Sequence, residues 1–319
     1  MGKKILLKDI LHNKGKINLQ LETISGEVGL SGEVKVGDIN RPGLTLAGFT
    51  EFFAFDRIQI FGMGESAFLR NLSPEKLEET LRMFFSYDVL CCIFTHDEVP
   101  CEMFIKIATE KNVPILKTSL GTTRFISLLI HVMDDLFAPS VNLHATLVEV
   151  YGVGVLIMGK SGAGKSECAL ELLERGHRLV ADDAIEIKKI DESALIGGAS
   201  SPILKHHMEI RGIGIINVKD IFGIRSVRDN QSIDFITNLE EWDSEKVYDR
   251  LGLDEQTYNI LGIDVPYMVV PVKPGRNIPI LIETAALNQR LKYFGIYSAR
   301  ELDKNLQEMM KKGDCKIDG

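Results

Sequence analysis

Two rhythms of apolar and polar positions run through this chain, and together they predict an α/β protein. Ile58–Phe61, Val89–Phe94 and Val113–Leu116 are short, nearly continuous apolar runs, the pattern of strands buried on both faces. Ser73-Pro74-Glu75 opens a helix that runs to about Ser86, with serine as the cap and proline at the first helical position, where its missing N–H goes unused. Glu102–Lys111 and Thr122–Phe137 repeat apolar residues at helical spacing and predict two more helices. Ile17–Val36 reads as β-rich, and Ser25-Gly26-Glu27-Val28 recurs as Ser31-Gly32-Glu33-Val34, a doubling that predicts two turns. Ala138-Pro139-Ser140 stops the long helix, so a boundary belongs within 133–140, giving an α/β domain over 1–133 and a second domain over 134–319.

The second part changes character. Gly154–Met158 predicts a strand, Glu167–Arg175 a helix, and Arg178-Leu179-Val180-Ala181-Asp182-Asp183 a short buried strand ending in two acids. Neighbouring residues on an extended segment point to opposite sides, so the two aspartates are expected to do different jobs. Ala286–Phe294 and Ser298–Lys312 predict helices, the second with Leu302, Leu306 and Met309 or Met310 along one side, for a neighbour, a carrier protein or its own domain.

A length of 319 residues suits two domains, and 45% hydrophobic with 26% charged residues is the balance of a globular protein. The net charge of −8 argues against a nucleic-acid partner, which needs a basic face. The five cysteines are scattered and odd in number, which fits reduced thiols in a cytoplasmic setting. The N-terminus predicts no export signal, and the absence of a long apolar run predicts no membrane span. The first domain shows no catalytic signature: His131, on an apolar helix, and Cys91-Cys92, on a buried strand, read as structural, and the domain is expected to serve assembly or regulation.

The chemistry concentrates at Gly159-Lys160-Ser161-Gly162-Ala163-Gly164-Lys165-Ser166, which satisfies G-x-x-x-x-G-K-[ST] at every specified position and lies between a predicted strand and a predicted helix. Glycines let backbone N–H groups close around phosphates, and the helix N-terminus adds positive potential. Lys165 is expected to neutralise the outer phosphates and Ser166 to offer its hydroxyl to Mg²⁺. A nucleoside triphosphate such as ATP is therefore the expected ligand. Two further segments stand out. Met208-Glu209-Ile210-Arg211-Gly212-Ile213-Gly214-Ile215-Ile216-Asn217-Val218 mixes an acid, a base and two glycines into an apolar stretch. Pro271-Val272-Lys273-Pro274-Gly275-Arg276-Asn277 is a turn with two cations, suited to clamping an anion. His177 reads as a cap of the preceding helix, His206-His207 as structural or solvated, and Trp242 as a packing residue.

In this order, His144, the Gly159–Ser166 loop, Glu167, the Arg175–Asp183 run and the two segments just described resemble the HPr kinase/phosphorylase family across most of residues 141–294. That resemblance implies a kinase domain of the phosphoenolpyruvate-carboxykinase-like type and a homohexamer. It implies Mg²⁺-dependent transfer of the ATP γ-phosphoryl group to a serine of HPr, the carrier protein of the sugar phosphotransferase system, in the regulation of carbon metabolism. It also implies phosphorolysis of phosphoserine-HPr by inorganic phosphate, giving pyrophosphate. Asp183 matches the family's proton shuttle, with Asp182 supporting; Lys165 matches the phosphate-loop lysine, and Ser166 and Glu209 the magnesium ligands. His144 and Arg250, in Tyr248-Asp249-Arg250-Leu251-Gly252, match the remaining catalytic positions. Met208–Asn217 matches the stretch used in both reactions and Pro271–Arg276 the loop used chiefly in phosphorolysis. Lys160 and Ala145 depart from the family, which often has an acid and a glycine there. A small-molecule kinase and a nucleotide-binding regulator without transfer are the competing readings.

Overall fold

The computed structural model describes residues 4–11, 17–248 and 255–312. Its contacts separate two units, Met1–Ala138 and Pro139–Gly319. The cut falls beyond the expected 133/134 because the helix at its edge runs unbroken to Phe137 and gives way only at the Ala138-Pro139 pair.

In the first unit the elements are α1 (Leu7–Leu11), β1 (Leu21–Ser25), β2 (Ile39–Asn40), α2 (Gly43–Leu46), β3 (Ile58–Phe61), α3 (Met63–Arg70), α4 (Pro74–Phe84), β4 (Cys91–Phe94), α5 (Glu102–Glu110), β5 (Ile115–Thr118) and α6 (Thr122–Phe137). The sheet order is β1-β5-β4-β3-β2, with β2 to β5 parallel and β1 antiparallel at the edge. Strands β3 and β4 are buried at every position, as their apolar runs predict. Ser73 caps α4 through its side chain, which accepts from the Lys76 N–H at 3.3 Å. The expected β-rich stretch over 17–36 is corrected: after β1, Gly26 turns left-handed (φ 81°) and Glu27–Ser31 winds into a 3₁₀ helix. Alternation alone did not separate that tight winding from a strand.

The second unit contains β6 (Ser140–His144), β7 (Thr146–Val150), β8 (Val153–Gly159), α7 (Lys165–Glu174), β9 (Arg178–Ala181), β10 (Ala184–Lys189), β11 (Leu195–Ala199), β12 (His207–Ile210), β13 (Gly214–Asn217), α8 (Val218–Phe222), β14 (Asn230–Ser232), β15 (Phe235–Glu241), β16 (Gln256–Ile260), β17 (Ile263–Val272), α9 (Ile278–Tyr293) and α10 (Ser298–Lys312). A six-stranded sheet, β16-β17-β15-β8-β7-β9, stands beside a four-stranded one, β14-β11-β10-β6, and β12-β13 forms a separate hairpin. The alternation along β8 explains the layering. Val153, Val155 and Ile157 join the core shared with α7 and α9, whereas Leu156 joins the core shared with Ile185, Ile187 and Leu195 of the smaller sheet.

Strands β8, β15 and β17 run parallel, so their C-terminal ends share one rim. Gly159 pairs with Leu239, and Glu241 with Val272. Helix α9 begins at Ile278, earlier than the expected Ala286, because Asn277 caps it by accepting from the Ile280 N–H at 3.1 Å and Pro279 fits the first turn.

Candidate active site

The phosphate-type loop leaves the end of β8 and enters α7, the strand, loop and helix setting its sequence requires. Gly159 (φ 147°) could not carry a side chain, since a Cβ there would lie 2.7 Å from the Leu239 carbonyl oxygen. The Lys165 ammonium donates to the carbonyls of Gly159 at 3.1 Å and Lys160 at 3.3 Å. An ammonium has three N–H donors, so one remains for a phosphate oxygen. The Lys160 side chain is exposed, and its carbonyl also accepts from the Ala163 N–H at 3.1 Å.

Together with Asp182, Asp183, Glu209 and Arg211, the loop encloses a cleft of about 120 Å³. The two aspartates diverge sharply. Asp182 is 6% exposed, and its carboxylate accepts from Thr146 Oγ1 at 2.6 Å and from Ser166 Oγ at 2.9 Å. Burial raises the Asp182 carboxyl above its ordinary value of 3.8, against the opposing pull of the Thr146, Ser166 and Glu209 hydrogen bonds. Asp183 has a side chain 73% exposed, with Oδ1 3.7 Å from Nδ1 of the still more open His144. The backbone makes the separation. The Ala184 N–H donates to the Asp182 carbonyl at 2.8 Å and Asp183 sits at φ 66°, a γ turn with a strained centre. His144 arrives beside it because β6 pairs with β10 so that His144 faces Ala184.

Glu209 and Arg211 come from the β12-β13 hairpin. Met208 and Ile210 turn into the core, which leaves Glu209 on the outer face opposite Ile215. Past the strand, Gly212 (φ 85°) turns the chain back, and Arg211 Nη2 donates to Ser161 Oγ at 3.1 Å, joining hairpin to loop. Ile213 and Ile215 are exposed, Ile216 is half-buried, and Asn217 caps α8 by accepting from the Lys219 and Asp220 N–H groups.

The family pattern described as HPr Serine kinase C-terminal domain matches residues 135–306, and the one described as HPr Serine kinase N terminus matches residues 5–133. This chain belongs to the HPr serine kinase family. The HPr kinase/phosphorylase of Leptospira biflexa serovar Patoc is 52% identical over 291 residues, spanning 91% of this chain and 90% of that protein. That of Treponema pallidum (strain Nichols) is 47% identical over 298 residues, or 93% of each protein. The solved structure of the Hpr(Ser) kinase/phosphatase from Coxiella burnetii is 37% identical, covers 51% of this chain and 98% of that chain, and has a TM-score of 0.45.

Within this HPr serine kinase fold, Pro271–Arg276 stands two strands from the loop on the same rim, roughly 10 Å across the sheet. Lys273-Pro274-Gly275-Arg276 is a type II turn: the Arg276 N–H donates to the Lys273 carbonyl at 3.0 Å and Gly275 takes φ 83°. Neither Lys273 nor Arg276 lines the cleft around the loop. Arg276 Nη1 reaches the Pro271 carbonyl at 3.4 Å, and Val272 ends β17. Arg250 lies outside the described residues. Trp242 does pack, its ring stacking on Tyr248, but at the rim, where it is 45% exposed.

The sequence reading also missed a half-buried ionic cluster. His177 does close α7 through its backbone, donating to the Leu172 carbonyl at 3.1 Å after left-handed Gly176. Its ring, however, is buried and lies 2.8 Å from Glu283 of α9, which also accepts from Arg175 at 2.6 Å. An acid on the inner side of a helix was the available signal, but it was obscured because the start of α9 was set too late.

The oxygen donors Ser166, Asp182 and Glu209 meet in one cleft, a donor set that fits Mg²⁺. Among the described residues no group of three or more His, Cys, Asp or Glu side chains forms a metal cluster; Mg²⁺ commonly takes one or two carboxylates and completes its shell with phosphates and water. Burial pushes the Cys168 thiol up to about 12, so it remains protonated. No helix among the described residues is long and apolar enough to cross a membrane.

Proposed function

We propose that this chain is a bifunctional, Mg²⁺- and ATP-dependent protein-serine kinase and phosphorylase acting on the carrier protein HPr. The observation that carries this reading is the split between the two aspartates: Asp182 is buried against Ser166, while Asp183 is exposed beside His144 at the mouth of the same cleft. Family membership and the names of its relatives support the choice of substrate.

In the forward direction Asp183 takes the proton of the HPr serine hydroxyl as its oxygen attacks the γ-phosphorus of ATP, and the bond to the bridging oxygen breaks to release ADP. His144 orients Asp183. Lys165 and the loop amides hold the phosphates, and Arg211, anchored on Ser161, adds positive charge to the transferring group. Ser166 and Glu209, with Asp182 behind Ser166, would hold Mg²⁺, which neutralises phosphate charge when bound. In reverse, an oxygen of inorganic phosphate attacks the phosphoserine phosphorus, the serine oxygen leaves with the proton from Asp183, and pyrophosphate forms. Lys273 and Arg276 serve that second phosphate, and Arg250 completes the catalytic set.

We further infer a cytoplasmic homohexamer. Incubating the purified chain with labelled ATP, Mg²⁺ and HPr should give phosphoserine, and phosphoserine-HPr with inorganic phosphate should give pyrophosphate. Failure of transfer to HPr proteins from related sources overturns the reading; light scattering at the mass of one protomer overturns the hexamer.

A further inference from the structure

Trp242 follows directly on β15, and its N–H donates to the Val272 carbonyl at 3.0 Å, continuing the ladder past Glu241 and Val272. That bond fixes an exposed indole between the ends of β15 and β17. The ring has two partners. It stacks on Tyr248 at 5.1 Å and 26°, and the Lys273 ammonium lies 5.5 Å from its centroid. Tyr248 is fixed in turn, because its hydroxyl accepts from the Asp243 N–H at 3.0 Å and so closes the 243–248 segment. A carboxylate would hold an ammonium by neutralising it. An aromatic face holds it and leaves its charge and N–H donors available to an anion.

We propose that Trp242 is a positioning residue for inorganic phosphate, its ring holding Lys273 on the rim where the phosphorolysis reaction receives its second phosphate. This rests on the bifunctional reading above. Lys273 is the group that touches phosphate; Trp242 acts through it. The stack with Tyr248 makes the indole a rigid support, so the ammonium does not lose its orientation to the freedom of a four-carbon side chain. ATP is held by the loop at the end of β8, two strands away, so the effect is confined to one direction of the reaction.

The test is steady-state kinetics of both reactions on the full chain, with the KM for phosphate measured in phosphorolysis and the KM for ATP in the kinase direction. Trp242→Leu, which keeps apolar bulk and removes the ring, is expected to raise the KM for phosphate by about two- to fivefold, the factor a partly exposed cation–π contact supplies. Its KM for ATP should stay within about twofold of wild type, and Trp242→Phe should restore the phosphate KM. Lys273→Ala should raise the phosphate KM at least as far, and the double variant Trp242→Leu/Lys273→Ala should match Lys273→Ala alone. Parallel shifts in both KM values, an unchanged phosphate KM, or fully additive effects in the double variant overturn the proposal. A wild-type chain that makes phosphoserine-HPr but no pyrophosphate overturns the phosphorylase reading itself, whereas the variants judge Trp242 alone.

Discussion

The Ser166 hydroxyl donates to the buried Asp182 carboxylate at 2.9 Å, which ties the first turn of α7 to the end of β9. The same carboxylate accepts from Thr146 on β7, so three elements meet at one side chain. Asp182 is thereby held in place behind Ser166, whereas Asp183, the carboxylate proposed above as the base, stays exposed.

Asp183→Asn should lower HPr phosphorylation by about 10²- to 10⁴-fold, the usual contribution of a positioned base. Nucleotide affinity should stay close to wild type, because the loop contacts are untouched. Calorimetric titration with ATP alongside a single-turnover transfer assay measures both; transfer at the wild-type rate excludes Asp183 as the base.

Asp182 has a folded-state carboxyl raised by burial above 3.8. A raised value means that the stability contribution is fully present below the unfolded value and is lost as pH rises through the folded one. Wild type should therefore lose stability relative to Asp182→Asn as pH climbs from about 4 towards 7 without nucleotide. Thermal unfolding of both proteins across that range provides the check, and a constant difference in Tm contradicts it.

The opposite sign holds for Glu283. The hydrogen bond from Arg175 holds its carboxyl below the ordinary 4.5, burial opposes that shift, and the contact with His177 adds to the lowering. Its stabilisation is present above 4.5 and fades as pH falls through the lowered folded value. Glu283→Gln should cost about 2 kcal/mol near neutral pH, the scale of a charged hydrogen bond, and much less in acid. Urea unfolding at two pH values measures the difference.

Gly159→Ala should impair ATP binding by at least about tenfold, since the added carbon meets the Leu239 carbonyl at 2.7 Å and the backbone holds φ 147°. Gly275→Ala, strained at φ 83° but with open space around it, should bind ATP normally. Nucleotide titration of the two variants separates the two roles.

Much of the first unit was legible because its information is local. Ile58–Phe61 and Thr122–Phe137 carry their periods in single unbroken windows, and Ser73-Pro74 states where its helix begins. The loop at Gly159–Ser166 was legible for the same reason. What escaped depends on partners far along the chain: the pairing of β10 with β6, which places His144 beside Asp183, and the Glu283 contacts with Arg175 and His177. The early start of α9 was written in Asn277-x-Pro279, a cap followed by a first-turn proline, ahead of the expected start at Ala286. Trp242 read as a packing residue, and it does pack on Tyr248, but its place just past the end of β15 leaves it 45% exposed.

The left-handed turn at Asp183 has a further implication. Glycine reaches positive φ freely, and asparagine and aspartate do so at less cost than other residue types. A reversal of chain direction thus doubles as a filter on which replacements can arise there, and it makes asparagine the substitution best suited to removing the carboxylate while keeping the bend.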